Sequence, residues 1–161
     1  MSFIFYKTII RGLCLGLQPI YIDESGFQLL NNKYYRWRKR DEEFPYGSDC
    51  NILSKSNMIL AVSDKDILIY QINKENTNSA IFSDFIKEML KKIPESEKEN
   101  KLIIMDNAKF HLSDDIKKLF KDNKIKVLTI SPYNSDQNIC ELVFRHLKFK
   151  TRQFFLKHTK K

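Results

Sequence analysis

Short apolar runs dominate the first half of the chain, and a helical period takes over in the second. Pro19–Asp23 (PIYID) is a mostly apolar run that ends on a carboxylate, and it predicts a short buried strand. Met58–Val62 and Ile67–Ile72 are apolar, β-branched runs separated by Ser63-Asp64-Lys65-Asp66, which predicts a hairpin with Asp64 and Asp66 as turn residues. Phe82, Phe85, Ile86, Met89, Leu90 and Ile93 then recur at i, i+3, i+4, i+7, i+8 and i+11. That is one face of an amphipathic helix, opened near Ser79 and stopped by Pro94. Glu95–Lys101 reads as a polar loop. Leu102–Asp106 (LIIMD) is a second buried strand running into a carboxylate. Ser113 followed by Asp114 and Asp115 starts another helix, with Ile116, Leu119 and Phe120 as its inner face. Ile125–Ile130 is a third such strand. From Asn138 onward, Cys140, Val143, Phe144, Leu147, Thr151, Phe154 and Phe155 mark a long final helix.

The order is β, β, β, then α, β, α, β, α. Antiparallel strands first and crossover helices afterwards imply an α/β fold, a mixed five-stranded sheet with helices on its faces. Met1–Gln18 has no clear period and reads as a lead-in segment, with the main domain running from residue 19 to 161. Phe27–Cys50 alternates poorly and reads as an irregular or hairpin insertion. Functional groups in such sheets collect at the carboxyl ends of parallel strands, where Asp23 and Asp106 stand.

Composition narrows the class. At 161 residues, 42% hydrophobic and 30% charged with four Gly and four Pro, the chain suits one domain and excludes collagen-like or disordered readings. Its apolar runs are too short to cross a bilayer, and no clean leader precedes the first strand. The expectation is an intracellular protein with no membrane partner, nuclear in a eukaryote and cytoplasmic or nucleoid-associated in a bacterium. Three scattered cysteines with no CxxC pair indicate neither a disulfide framework nor a zinc finger.

The formal net charge of +8 is concentrated in two acid-free stretches. Lys33, Arg36, Arg38, Lys39 and Arg40 form one. Arg145, Lys148, Lys150, Arg152, Lys157, Lys160 and Lys161 form the other. This is the footprint of a phosphate-backbone binder, unless the stretches are merely solvated faces. Arg145, Lys148 and Arg152 share one stripe of the last helix with Glu141. Tyr34, Tyr35 and Trp37 interleave with the first basic stretch, where they either stack on unpaired bases or pack inward from an amphipathic strand.

Asp23, Asp106 and Glu141 are the candidate chemistry. Converging carboxylates cannot all stay ionised without a cation, and hard oxygen ligands suit Mg²⁺ or Mn²⁺. Two such ions clamp the attacking and leaving oxygens of a phosphoryl transfer. Asn138-x-x-Glu141 is also a capping-box pattern, and the two roles are compatible. Glu24 should point to the opposite side of an extended chain from Asp23, in a supporting role. Asn107 and His111 follow the second acid. His111 either contacts phosphate, orients a carboxylate, or hydrogen-bonds locally.

Local context adds a resemblance. Tyr21-Ile22-Asp23-Glu24-Ser25-Gly26-Phe27 resembles the YxDExGF block of mariner-type DDE transposases and their bacterial insertion-sequence relatives. Ile104–His111 (IMDNAKFH) resembles their hydrophobic strand followed by DNAxxH. Ser131–Glu141 (SPYNSDQNICE) aligns without a gap on their PPYSPDLNPIE block, with 34 residues between the second and third acids. Ser135 and Ile139 stand where the family has proline, Gln137 where it has leucine, Cys140 where it has isoleucine, and Phe144 where it has tryptophan.

The resemblance implies an RNase H-like catalytic domain with Asp23, Asp106 and Glu141 as ligands of two Mg²⁺ or Mn²⁺ ions. It implies metal-dependent cleavage at transposon ends, strand transfer into target DNA, and a homodimer in the DNA complex. Only 20 residues precede Tyr21, so the family's paired helix-turn-helix modules are expected to be absent. A truncated, inactive remnant that binds DNA without sequence preference is the alternative.

Overall fold

The computed structural model describes residues 2–30, 52–108, 111, 113–130 and 138–158. Helix α1 (Ser2–Cys14) leads into strand β1 (Gln18–Leu30), followed by β2 (Ile52–Ser63) and β3 (Ile67–Asn73). Helix α2 (Ser79–Lys91), a 3₁₀ helix over Glu95–Asn100 and β4 (Lys101–Met105) come next. Helix α3 (Asp114–Asp122), β5 (Lys126–Thr129) and α4 (Ile139–His158) complete the order. Among the described residues, no helix is long and apolar enough to cross a membrane.

The five strands form one mixed sheet in the order β3-β2-β1-β4-β5. β1 pairs antiparallel with β2, and β2 with β3, whereas β1–β4 and β4–β5 are parallel. Helices cover both faces, because alternate residues of the central strands are apolar in both directions. Ile20, Ile22, Ile59, Ala61, Ile103 and Met105 point to one face and meet Phe82, Phe85, Ile86 and Met89 of α2 and Ile116 and Phe120 of α3. Tyr21, Met58, Leu60, Leu102 and Ile104 point to the other face and meet Phe5 of α1 and Cys140 and Phe144 of α4.

The period read for residues 82–93 is the face that α2 buries. Phe82, Phe85, Ile86 and Met89 are fully enclosed, each contributing about 1.5–3 kcal/mol of transfer free energy. Asn78, one residue before the expected opening, caps α2 by accepting the Ile81 N–H at 3.0 Å.

The first 18 residues carry helix α1, which their pattern did not reveal. Phe5 is buried, while Phe3, Tyr6, Ile10 and Leu13 are exposed, so apolar residues on both faces hide the period. Gly12 lets α1 close on the sheet; a Cβ there would stand 3.4 Å from side-chain atoms of Leu102 and Leu17. Gly16, at φ +76°, ends the helix in the left-handed conformation that favours glycine. The expected polar loop after Pro94 is instead the 3₁₀ helix, which buries Lys98 between Glu95 and Asn123.

Candidate active site

The site forms where β1 and β4 end side by side. Their parallel register runs from Gln18↔Lys101 to Tyr21↔Ile104. Two residues beyond the last pair, each strand reaches its aspartate, Asp23 in β1 and Asp106 directly after β4. Adjacent strands lie about 4.8 Å apart, and residues two apart share a face. Asp23 therefore follows Tyr21 onto the side covered by α4, and Asp106 stands at the adjacent strand end.

Helix α4 is tied to this end of β1. Asn138 is buried just before the helix; its amide donates to Ile22 O at 3.1 Å and its side-chain oxygen accepts the Cys140 N–H at 3.1 Å. The Cys140 thiol, fully buried, donates to Tyr21 O at 3.3 Å. These bonds hold the first turn of α4 against β1 and bring Glu141 there. Asn138 thus caps the helix, but through the Cys140 N–H and not the Glu141 N–H that the expected capping box uses, and its amide serves tertiary docking as well.

Electrostatics report the crowding. Burial pushes the Asp23 carboxyl up from 3.8 to about 7; the Glu24 N–H at 2.9 Å opposes this, while the charges of Glu24, Glu141 and Asp106 reinforce it. Burial first, then the charges of Asp23, Glu24 and Glu141, push the Cys140 thiol far above its usual range, leaving it a neutral packing group.

His111 lies between two carboxylates and is fully buried. Its Nδ1–H donates to Asp106 Oδ1 at 2.6 Å and its Nε2–H to Glu24 Oε1 at 2.8 Å. Its ring packs on Phe82 of α2, 4.3 Å between centroids. Burial alone would lower the His111 pKa, but hydrogen bonds to Asp106 and Glu24, with their charges, outweigh it and raise it from 6.5 to about 9. The same bond to His111 holds Asp106 below its usual range, against a smaller opposing effect of burial. These two shifts are one interaction seen from either partner. Among the described residues, no three His, Cys, Asp or Glu side chains stand in a ready ligating cluster.

Of the other expected site residues, Asn107 is exposed in the turn after β4. Arg145, Lys148 and Arg152 are exposed on α4, with Lys148 Nζ 5.6 Å from the centre of the Phe27 ring. Lys33, Arg36, Arg38, Lys39 and Arg40 lie outside the described residues, as do Tyr34, Tyr35, Trp37 and Ser131–Gln137. The bond from Glu24 to His111 was not read from sequence. Its one signal there was a histidine shortly after a strand-end acid, whose partner 87 positions away no local pattern reveals.

The pattern of the DDE superfamily endonucleases matches residues 18–160. The chain belongs to the DDE superfamily endonucleases. The chain has the RNase H-like fold of solved mariner transposases. The catalytic domain of Mos1 mariner transposase is 14% identical, with a TM-score of 0.64 over 96% of this chain and 74% of that one. A pre-cleavage Mos1 transpososome matches at 12% identity and TM-score 0.70, over 96% of this chain and 51% of that one. The Mos1 catalytic domain solved with Raltegravir and Mg matches at 14% identity and TM-score 0.58, over 86% and 68%. The chain spans about half the length of the Mos1 chains in the DNA complexes it matches. No curated protein sequence matches it.

Proposed function

We propose that this endonuclease is the catalytic domain of a mariner-type transposase, cutting DNA strands at transposon ends and joining them to target DNA. Asp23, Asp106 and Glu141 are its catalytic residues and would hold two Mg²⁺ or Mn²⁺ ions. The observation that carries this is the parallel register of β1 and β4, which ends with Asp23 and Asp106 on adjacent strand ends beside the tied start of α4; burial and neighbouring acids that include Glu141 and Asp106 push the Asp23 carboxyl up to about 7. A group in that position is only partly ionised near neutral pH, and a divalent cation removes the conflict, so the residues present fit the metal. Bound there, the ions supply Lewis-acid stabilisation of the attacking and leaving oxygens.

The chain's own groups have three tasks. In this reading Asp23 and Asp106 present oxygens from adjacent strand ends and Glu141 supplies the third carboxylate from α4, whose first turn Asn138 and Cys140 dock against β1. Arg145, Lys148 and Arg152, on the same helix, hold the DNA backbone by charge. The basic residues Lys33, Arg36, Arg38, Lys39 and Arg40 add positive charge for the same task. Structures of the similar Mos1 chain in paired-end and strand-transfer complexes support DNA as the partner, and a homodimer in the DNA complex belongs to the same proposal.

The test is nicking of supercoiled plasmid with and without Mn²⁺. Wild type is expected to nick only with the metal, and Asp106→Asn to lose nicking by at least about a hundredfold. Nicking that needs no metal, or that survives in Asp106→Asn, would refute the assignment.

A further inference from the structure

The geometry points to Glu24 and His111 as positioning residues: Glu24 anchors the His111 ring, and the ring holds one oxygen of Asp106 so that the other faces the metal. This rests on Asp106 being a metal ligand, as proposed above.

Three observations carry it. First, Asp106 Oδ1 is taken twice, by His111 Nδ1–H at 2.6 Å and by the Ala108 N–H at 3.0 Å. Both donors converge on one oxygen, which fixes the carboxylate plane and leaves Oδ2 as the ligating atom. Asp106 needs such support, because it lies beyond the end of β4 with its side chain half exposed. Second, the ring cannot turn. It is fully buried, its backbone N–H donates to Ala108 O at 3.0 Å, and one face lies on Phe82. Third, the far nitrogen is held by a carboxylate from the neighbouring strand. Glu24 follows Asp23 in β1 and so faces the α2–α3 side, where its oxygen meets Nε2 at 2.8 Å. One imidazole thus links the two strand ends: β1 through Glu24, β4 through Asp106. Ligands held this way depend on their outer partners, whose removal costs about 10–100-fold in metal affinity.

The measurement is the Mn²⁺ concentration giving half of the full rise in melting temperature, compared across variants. His111→Asn places an amide nitrogen where Nδ1 stood and keeps the bond to Asp106. His111→Gln reaches toward Glu24 instead and loses it. Glu24→Gln keeps an acceptor for the ring without its charge. The midpoint should rise about tenfold or more in His111→Gln, less in Glu24→Gln, and least in His111→Asn, whatever the metal-free melting temperatures do. Should His111→Gln fail to fold, the order Glu24→Gln above His111→Asn above wild type carries the test. A purely structural role would lower the metal-free melting temperatures and leave every midpoint within about twofold of wild type, and that result overturns the inference. Asp106→Asn is the control: a wild-type response kept by Asp106→Asn overturns the ligand assignment and this inference with it, whereas one lost in Asp106→Asn and unshifted in the others overturns this inference alone.

Discussion

Around Asp23, ionisation and folding are coupled with a definite sign. The unfolded carboxyl ionises near 3.8 and the folded one at about 7, so its ionisation opposes folding increasingly as pH rises through that window. His111 runs from 6.5 unfolded to about 9 folded; its stabilisation is complete below 6.5 and is lost as pH rises through 9. The two slopes add, and metal-free protein should melt progressively lower from about pH 5 to pH 9. Asp23→Asn, which keeps the shape without the charge, should melt about 3–6 °C above wild type at neutral pH without metal and gain nothing from Mn²⁺. Thermal melts across pH decide this, and a variant less stable than wild type would mean that Asp23 is not under charge stress. The strand-end acids were legible in the sequence because an apolar run that terminates on a carboxylate leaves it few places to go. The Glu24–His111 bond was not, since it joins a residue of β1 to one in the turn after β4, 87 positions away.

Strands β1 and β2 are longer than their apolar cores, because pairing from Ile20↔Ser63 to Leu29↔Ser54 continues where the sequence turns polar. Apolar periodicity reports burial, and a ribbon extending past the helices keeps its hydrogen bonds without it. Helix α2 was readable for the converse reason: one face is buried along its whole length. Phe85→Ala there should cost about 3–5 kcal/mol in chemical unfolding while leaving the Mn²⁺ midpoint unchanged. At the start of α4, Ile139 holds the first helical position and is exposed. Proline fits that position, with its ring setting the required φ and its missing N–H one the helix does not need. Ile139→Pro, which restores the residue usual in similar sequences, should raise stability by about 0.4–1 kcal/mol. A loss instead would mean that the turn before α4 approaches at an angle proline cannot take.

Across the whole molecule, charge and the proposed third catalytic acid meet on α4, which carries Glu141 near its start and exposed basic residues along its length. Charge distribution was legible because it requires no folding to count, whereas the path of DNA over the surface depends on how the elements assemble. Arg145→Ala with Lys148→Ala should weaken duplex binding alike for all sequences and reduce the slope of log affinity against log salt by about 2; titrations at several salt concentrations check it, and an unchanged slope would remove this helix from the DNA path. The central claim is that Glu141 completes a carboxylate metal site and is more than a residue in the first turn of a helix. Its most direct test is Mn²⁺-dependent plasmid nicking by Glu141→Gln at matched folding. The amide keeps the side chain's shape and hydrogen bonding but supplies no negative charge. The account predicts a melting temperature close to wild type in the absence of metal, with nicking abolished and the Mn²⁺ response weakened. Nicking and metal response equal to wild type in Glu141→Gln would contradict it.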